Sequence, residues 1–224
     1  MKYATAIILA ILLILPRAVH AADTPLDTDH DGLSDELESK LGTDLANLDT
    51  DGDGYQDGLE VKNGFNPLKG QRDRSVPRSV TVDIAKQKLI YYFNGVEIGV
   101  ASVSTGVRGM DTPQGEFKII RKRPTVHYKG QGYDYPNTKW NLEFKKGIYL
   151  HGAYWHNQFG KKPMSHGCVN IAYANAEKLY KFLDVGDKVK IFGKVPIKNL
   201  LTKIWTLTSP IACAILNYVI KHFE

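Results

Sequence analysis

The residues best suited to covalent chemistry lie in one stretch, YLHGAYWHNQFGKKPMSHGCVN, which spans residues 149–170. It contains Cys168, one of two cysteines, and three of the seven histidines, His151, His156 and His166. A thiolate is a strong nucleophile, but a free thiol with a pKa of about 8.5 is mostly protonated at neutral pH. A nearby imidazole can accept the proton and stabilise the resulting ion pair. The stretch therefore predicts a cysteine nucleophile with a histidine base.

The glycine before the cysteine supports this interpretation. Gly167 would let a substrate carbonyl approach the backbone, where N–H groups can stabilise an oxyanion. A zinc site is a weaker interpretation, because the spacing of the three histidines and Cys168 matches none of the usual paired-ligand patterns. Cys168 could also be an inert buried residue, or it could form a disulfide with Cys213.

The elements that must position these residues are mostly strands. SVTVDI, KLIYYF and VEIGVASVS have strand patterning, and Asn94-Gly95 between the last two is a strong hairpin signal. EFKIIRK, GIYLHG and DKVKIFG predict further strands. Asn175–Asp184 predicts a helix with Ala176, Leu179, Tyr180 and Leu183 on one face. We expect a mainly β domain with one or two helices over residues 78–193.

A second set of residues with chemical potential forms a repeat. LDTDHDGLSDELESKLGTDLAN begins at residue 26 and LDTDGDGYQDGLEVKNGFNPLK at residue 48. Each begins with a twelve-residue calcium-loop pattern, in which alternate carboxylates converge on one hard cation, a glycine permits the turn and a glutamate closes the site. The expected ligands, with main-chain carbonyls at the two apolar positions, are Asp27, Asp29, Asp31, Leu33, Asp35 and Glu38, then Asp49, Asp51, Asp53, Tyr55, Asp57 and Glu60.

The alternative is a disordered acidic segment, because such closely spaced carboxylates repel one another without a cation. True helix–loop–helix hands are not expected, since there is no room for an entering helix between Asp27 and the signal-peptide cleavage expected after Ala21. Residues 26–67 instead resemble thrombospondin type 3 repeats. This resemblance implies structural Ca²⁺, further ligands at Asp44 and Asn66, and a calcium-dependent spacer or docking surface within residues 22–67.

Both ends of the chain carry apolar segments. Lys2, an apolar run at 6–15 and small residues before the expected cleavage predict a signal peptide over residues 1–21, with an uncleaved anchor as the alternative. We therefore expect export to the periplasm or cell envelope. The tail at 194–224 predicts an amphipathic helical pair that packs on the protein or lies on a membrane, with a spanning helix as the alternative. Residues 68–77 predict a linker.

Charge divides the chain into two parts of opposite sign. Residues 22–60 carry thirteen acidic residues against one lysine, a net charge of −12, whereas residues 61–224 carry 26 Lys/Arg against 11 Asp/Glu, a net charge of +15. The basic part suits an anionic partner such as a cell-wall polymer. Nucleic acid is not an expected partner of an exported chain.

The cysteine stretch also resembles a known family. Residues 151–170 resemble the signature of the L,D-transpeptidase catalytic domain, a histidine and a variable loop followed by Ser/Thr-His-Gly-Cys-apolar-Asn. Ser104–Gly106 and Thr112–Phe117 resemble the Ser-Thr-Gly and Thr-Pro-x-Gly-x-Phe elements of that family. The resemblance covers residues 78–193 and implies a β-sandwich-like fold. It also implies an enzyme that acts on peptidoglycan stem peptides and needs no cofactor for catalysis.

By this resemblance the cysteine attacks the third residue of a tetrapeptide stem, releases the terminal D-alanine and transfers the acyl group to an amine of a second stem, forming a 3-3 cross-link. Spacing leaves the base open between two histidines, and the resemblance favours His151. The implied catalytic residues are Cys168, His151, His166, Ser165 and Gly167; His166 and Ser165 orient the pair, and the N–H groups of Gly167 and Cys168 form the oxyanion hole. The expected substrate-binding residues are Tyr154, Trp155, His156 and Asn170, with packing of the loop as the alternative for the first three.

The sequence is compatible with further functions. The same thiol could serve a carboxypeptidase that uses water, or an amidase that detaches or attaches a lipoprotein or another amine. A third possibility is a calcium-dependent wall-binding protein whose catalytic domain is inactive. The glycines and tyrosines of His127–Trp140 suit a mobile recognition loop or plain surface.

Overall fold

The computed structural model describes residues 25–70 and 72–195. The predicted signal peptide, Cys213 and nearly all of the predicted tail lie outside the described residues. Within the described ranges the chain forms three helices, α1 (Asp35–Leu41), α2 (Asp57–Asn63) and α3 (Tyr173–Phe182). The strands are β1 (Arg78–Asp83), β2 (Lys88–Phe93), β3 (Val96–Ser104), β4 (Gly115–Lys118), β5 (Arg121–Gly130), β6 (Tyr133–Lys145), β7 (Ile148–Gly152), β8 (Val169–Ile171) and β9 (Lys188–Phe192). The prediction of a mainly β fold is confirmed.

The nine strands form one curled sheet in the order β4-β9-β1-β2-β3-β8-β7-β6-β5. Most neighbouring strands are antiparallel, but β1 pairs with β9 and β7 pairs with β8 in parallel. The two ends of the sheet approach each other. Phe117 of β4 packs on Phe144 of β6 with ring centroids 5.3 Å apart, and Ile120 N–H donates to the Glu143 carbonyl at 2.7 Å. The core lies inside this curl.

The predicted hairpin and helix are present. Asn94 and Gly95 both have positive φ, 49° and 79°, as a two-residue type I′ turn between right-twisted strands requires. The predicted segments KLIYYF and VEIGVASVS coincide with β2 and β3. Helix α3 begins two residues before the predicted segment, and its buried face is Ala176, Leu179 and Phe182.

The segment EFKIIRK does not form one strand. Strand β4 ends at Lys118 and pairs with β9, whereas β5 begins at Arg121 and pairs with β6 at the far end of the sheet. The chain must bend between them, and the N–H groups of Ile119 and Ile120 accordingly donate to different elements, at Asp187 and Glu143. The segment His127–Trp140, for which the sequence suggested a mobile recognition loop or plain surface, forms most of the β5–β6 hairpin.

The acidic repeats pack against the β domain. Each repeat is a loop followed by one seven-residue helix, which ends at a glycine with positive φ, Gly42 or Gly64. Leu33, Leu41 and Val61 are buried in the same apolar cluster as the β-domain core. Helix α2 contacts α3. The repeats therefore dock on the domain.

Two arginines join the two parts, Arg74 in the segment predicted as a linker and Arg78 at the start of β1. Arg74 donates to the carbonyl oxygens of Asn63 and Phe182, both at 2.9 Å. Arg78 donates from Nη1 to the Gly64 carbonyl at 2.7 Å and from Nε to Asp187 Oδ2 at 2.9 Å. These bonds connect the end of α2 to the end of α3. Among the described residues, no helix has the length and apolar character needed to cross a bilayer.

Candidate active site and acidic loops

Two adjacent parallel strands bring the cysteine and the histidine to one cleft. His151 of β7 pairs with Asn170 of β8, and Leu150 pairs with Val169, so Cys168 stands just before β8 beside Tyr149. The backbone N–H of Tyr149 favours the thiolate and so lowers the pKa of the Cys168 thiol. His151 and Cys168 line one cleft. The parallel register of β7 against β8 therefore brings His151 and Cys168 to the same cleft.

The tautomer of His151 follows from its hydrogen bond. His151 is buried, and its Nδ1 lies 2.9 Å from the carbonyl oxygen of Gly152. A carbonyl oxygen only accepts, so Nδ1 carries the proton of the neutral ring and Nε2 is left as an acceptor. Burial lowers the pKa of His151 to about 4. The ring is neutral at pH 7 and equipped to accept a proton.

The thiol of Cys168 is also neutral in the resting site. It is a free cysteine, partly exposed to the cleft. Burial raises its pKa to about 11, against the smaller opposite effect of the Tyr149 N–H. A preformed thiolate–imidazolium pair is the arrangement expected from the sequence, but burial of both groups disfavours both charges. Proton transfer from sulfur to His151 would then accompany attack on a substrate.

Ser165 and Gly167 shape the turn that carries the cysteine. The Ser165 hydroxyl donates to the Cys168 carbonyl at 2.5 Å, and the Gly167 N–H donates to Ser165 Oγ at 3.2 Å. Gly167 has φ 113°, a conformation open to glycine. Its N–H, expected to bind an oxyanion, is thus engaged within the turn. The N–H of Cys168 is the remaining donor of the predicted pair.

The upstream Ser-Thr-Gly and Thr-Pro motifs form hydrogen bonds with this turn. Thr105 accepts the N–H of Ser165 through its carbonyl at 3.1 Å, and Gly106 forms a parallel bridge with Ser165. Thr112 Oγ1 accepts the Gly106 N–H at 2.8 Å and lies 3.3 Å from the Cys168 carbonyl. The buried side chain of Gln87 bonds to both the N–H and the hydroxyl of Thr105. The Ser-Thr-Gly and Thr-Pro elements therefore support the turn that carries Cys168.

Aromatic residues of the β5–β6 hairpin form one wall of the cleft. Tyr128 packs on His151 with ring centroids 4.8 Å apart, and its hydroxyl donates to Asn141 Oδ1 at 2.9 Å. Tyr133 stacks on His166 at 4.7 Å. These tyrosines, with Tyr135 and Met164, line the cleft. The sequence placed these tyrosines in a mobile recognition loop or on plain surface, although tyrosines at alternate positions in GYDY indicate one side of a strand.

The remaining predicted site residues divide into two groups. Trp155 lines the cleft and stacks on Tyr135, with ring centroids 3.9 Å apart, and the buried Asn170 also lines it. His156 is not part of the cleft lining. Its Nε2 is 2.9 Å from the Asn170 amide nitrogen, and its Nδ1 accepts the Gln158 N–H at 3.2 Å. Tyr154 donates its hydroxyl to the Pro136 carbonyl at 2.9 Å, which joins the loop to the hairpin.

His166 is exposed on the rim of the cleft, where it stacks on Tyr133. This position differs from that of the buried His151, whose ring contacts Tyr128 and Trp155. The structure thus gives His151 the environment of a base. The zinc interpretation finds no support in the geometry of the described residues, whose clusters of converging potential ligands are two aspartate triads.

The aspartate triads lie in the acidic loops. Ligand atoms of Asp27, Asp29 and Asp31 lie within 4.8 Å of one another, and so do those of the second triad, Asp49, Asp51 and Asp53. Each first aspartate also accepts loop N–H groups, as Asp27 does from His30 and Gly32. The loops therefore hold three carboxylates together at two equivalent places, as calcium loops do.

The closing glutamates have the property that a cation site requires. Glu38 is fully buried and Glu60 is 3% exposed, and Glu38 Oε2 and both carboxylate oxygens of Glu60 have no hydrogen-bond partner among the described residues. Burial, and next the neighbouring aspartates, raise the pKa of each to about 7. Buried carboxylates without partners beside other carboxylates are costly unless a cation joins them. The donor set fits Ca²⁺.

The remaining predicted ligands are not members of the two aspartate triads. Asp35 accepts the N–H and hydroxyl of Thr28, both at 2.8 Å, and Asp57 does the same with Thr50 at 3.0 and 2.5 Å. These two carboxylates close their loops and are not members of the triads. Asp44 and Asn66 cap turns by accepting N–H groups two residues on. Leu33 is buried beneath the first loop, and Tyr55 is exposed on the second.

Comparison with known proteins identifies the family to which this fold belongs. The model of the L,D-transpeptidase catalytic domain matches residues 77–191, about half of the chain. The chain belongs to the L,D-transpeptidase family. The bacterial TSP3 repeat matches residues 27–44 and 49–70. The family resemblance and the repeat resemblance are both confirmed.

Individual L,D-transpeptidases are similar over the catalytic domain. Probable L,D-transpeptidase 3 of Mycobacterium tuberculosis is 27% identical over 104 residues, 42% of this chain and 38% of that protein. L,D-transpeptidase 1 of the same organism is 27% identical over 116 residues, 45% of this chain and 44% of that protein. The chain thus spans less than half the length of these curated relatives. The crystal structure of an L,D-transpeptidase from M. tuberculosis H37Rv, 24% identical, superposes with a TM-score of 0.51 over 57% of this chain and 62% of that chain, which shows the shared fold.

Proposed function

We propose that this protein is a cell-envelope enzyme in which Cys168 forms an acyl-enzyme with peptidoglycan tetrapeptide stems. The observation that carries the proposal is the placement of His151 on β7 and of Cys168 immediately before the adjacent parallel strand β8, so that both line one cleft. Membership of the L,D-transpeptidase family supports the same chemistry.

The first half-reaction consumes the donor stem. Cys168 sulfur attacks the carbonyl between the third residue and the terminal D-alanine while His151 Nε2 accepts the thiol proton. The backbone N–H of Cys168 supports the oxyanion. The C–N bond then breaks, D-alanine leaves with the proton from His151, and a thioester remains on Cys168. The Nδ1 bond to Gly152 holds the ring in the tautomer that this step needs.

The second half-reaction restores the thiol. An amine from a second stem, a lipoprotein or another acceptor attacks the thioester, an amide forms and the sulfur regains a proton through His151. The aromatic wall of Tyr128, Tyr133, Tyr135 and Trp155 offers flat apolar surface for the peptide. Attack by water would instead give a tripeptide stem, the product of a carboxypeptidase.

Product analysis tests this function. Purified protein would be incubated with disaccharide-tetrapeptides, and the products would be weighed by mass spectrometry beside the Cys168→Ala variant and a matched Cys213→Ala control. Cross-linked dimers lacking one D-alanine, absent only with Cys168→Ala, are the expected result. If tripeptide monomers were the only product, the reaction would be hydrolysis of the stem and not transpeptidation. Unchanged substrate with every protein would contradict both reactions.

We further propose that the acidic repeats bind structural Ca²⁺, held by the two aspartate triads together with Glu38 and Glu60. Bound Ca²⁺ would neutralise the crowded carboxylates of each loop. The unpartnered oxygens of the buried glutamates support this assignment. Because the repeats share the apolar cluster of the catalytic domain, calcium is expected to stabilise the whole described fold. Thermal unfolding with Ca²⁺ or with a chelator tests it, and identical midpoints would contradict it.

A further inference from the structure

A buried carboxylate beside the cleft has no part in the chemistry above. Glu143 lies on β6, with its side chain 5% exposed. Its Oε1 accepts the N–H of Gly147 at 2.9 Å, and its Oε2 lies 3.3 Å from Arg121 Nε without forming a hydrogen bond. A buried carboxylate is costly to maintain, so its placement calls for a local role.

Glu143 belongs to a row of residues that crosses the sheet to the nucleophile. Arg121 of β5 pairs with Glu143, and Glu143 pairs with Tyr149 of β7. The pairing of Leu150 with Val169 places Tyr149 beside Cys168, and the backbone N–H of Tyr149 lowers the pKa of the thiol. The row therefore runs from an exposed arginine on the edge strand to the buried side of the thiol.

The β6–β7 turn is where this row needs support. The register between the strands shifts between Glu143 and Lys145, and Gly147 in the turn has φ 76°. Such a bulge re-aims the residues that follow it. The bond from Gly147 N–H to Glu143 fixes the turn two residues before Tyr149. Gly147 itself lines the cleft.

We propose that Glu143 is a positioning residue for the nucleophile, which holds the β6–β7 turn so that the Tyr149 N–H stays directed at the sulfur of Cys168. This inference rests on the proposed role of Cys168 as nucleophile. The N–H donor favours the thiolate, and it partly offsets the effect of burial on the sulfur. Arg121 covers the carboxylate and balances its charge.

The sign of the effect separates this role from simple electrostatics. A negative charge near a thiol disfavours the thiolate, so removal of the Glu143 charge alone would lower the thiol pKa. Loss of the Tyr149 N–H from the sulfur would raise it. Glu143→Ala removes both the charge and the acceptor for Gly147, whereas Glu143→Gln removes the charge and keeps an oxygen acceptor. The two variants therefore give different results only if the held turn matters.

The experiment measures the pH dependence of Cys168 alkylation by iodoacetamide, in a Cys213→Ser background, by mass spectrometry of the Cys168 peptide. Glu143→Ala is expected to raise the apparent thiol pKa by about one unit, equivalent to about tenfold slower alkylation at a fixed pH below it. Glu143→Gln is expected to restore most of this loss. The exposed Glu116→Ala serves as the matched control and is expected to have no effect.

An unchanged or lowered thiol pKa in folded Glu143→Ala would overturn the proposal, and so would an equal change in the alanine and glutamine variants. If the alanine variant does not fold, Glu143→Asp decides, because it keeps the charge but shortens the reach to Gly147. A raised thiol pKa is expected there, and an unchanged one would overturn the proposal. Alkylation requires no wall peptide, so a failure of the enzymatic proposal would show separately, as missing acylation by stem peptides.

Discussion

The Nδ1 atom of His151 lies 2.9 Å from the carbonyl oxygen of Gly152, which commits the opposite nitrogen of a buried ring to accepting protons. Burial lowers the pKa of this histidine to about 4. Only the neutral ring can accept a proton, so activity should be lost as the pH falls through this pKa. We predict that the acid limb of kcat/KM, which reports the free enzyme, lies well below pH 6.

The pH–rate profile of the wild type, measured with a tetrapeptide substrate, checks this prediction. His166→Asn provides the control, because His166 is exposed and stacked on Tyr133, and its loss should leave the position of the acid limb unchanged. His151→Gln should lower the rate by about 10²- to 10⁴-fold, the usual contribution of a general base. An acid limb near pH 6.5 that disappears in His166→Asn would assign the base to His166.

Glu38 and Glu60, the glutamates proposed to complete the two calcium sites, predict that the effect of calcium on stability depends on pH. Burial and the neighbouring aspartates raise the pKa of Glu38 and that of Glu60 from 4.5 to about 7. The folded state then holds these protons more tightly than the unfolded state, so their contribution to stability is present below pH 4.5 and is lost as the pH rises to about 7. Ca²⁺ must displace the same protons. The increase in Tm on adding Ca²⁺ should therefore be larger at pH 7.5 than at pH 5.5.

Differential scanning fluorimetry with Ca²⁺ or chelator at the two pH values measures this difference. At 100 times the dissociation constant, one site should add about 2.7 kcal/mol of stability. The Glu38→Gln/Glu60→Gln variant should lose most of the calcium response, whereas Glu36→Gln, at an exposed position of α1, should keep it. A calcium response that is the same at both pH values would contradict the role of the buried glutamates.

The two acidic loops are joined through Asp31. Its Oδ1 accepts the Leu33 N–H at 2.6 Å within the first loop, and its Oδ2 accepts the N–H of Gly58 in the first turn of α2. Helix α2 also carries Glu60 of the second loop. We predict that Asp31→Asn weakens calcium binding at both loops, whereas Asp29→Asn weakens it at the first alone. Calorimetric titration distinguishes the two, and an Asp31→Asn protein with an intact second site would exclude the coupling.

The arginine junction should carry a large share of stability. Arg78 is almost fully buried and bonds to Asp187 and to the Gly64 carbonyl. Removing one partner of a buried pair leaves the remaining charge uncompensated, so Arg78→Ala should cost about 3–5 kcal/mol. Lys86→Ala, which removes an exposed pair with Asp83, should cost about 0–1 kcal/mol. Urea unfolding compares them, and equal costs would contradict the structural role of the junction.

Local chemistry explains which parts of the fold were predictable. The Asn94-Gly95 turn and the alternating patterns of β2 and β3 are determined within a few residues, and the sequence predicts both strands with their observed bounds. The acidic repeats were equally clear, because their aspartates and glycine recur with the same spacing in both units. The helix α3 was predicted from its apolar period. In each case the information lies in neighbouring residues.

Some features depend on contacts between distant segments. The β5–β6 hairpin is mostly exposed and rich in charged and glycine residues, so its strands give a weak hydrophobic pattern. Spacing also could not distinguish the two histidines, since His166 is two residues from Cys168 and yet exposed, whereas His151 reaches the site through strand pairing. Asp35 and Asp57 fit the ligand spacing, but each carboxylate accepts a hydrogen bond from a threonine hydroxyl. The donor to Asp35 is Thr28, and the donor to Asp57 is Thr50.

The acyl-enzyme is the central claim, and intact-protein mass spectrometry tests it most directly. The protein would be quenched in acid during turnover of a tetrapeptide stem and then digested to locate the modification. The account predicts a mass increase equal to the stem without its terminal D-alanine, on the peptide containing Cys168 and absent in Cys168→Ala. Product formation by Cys168→Ala at the wild-type rate, or turnover with no adduct on that peptide, would contradict it.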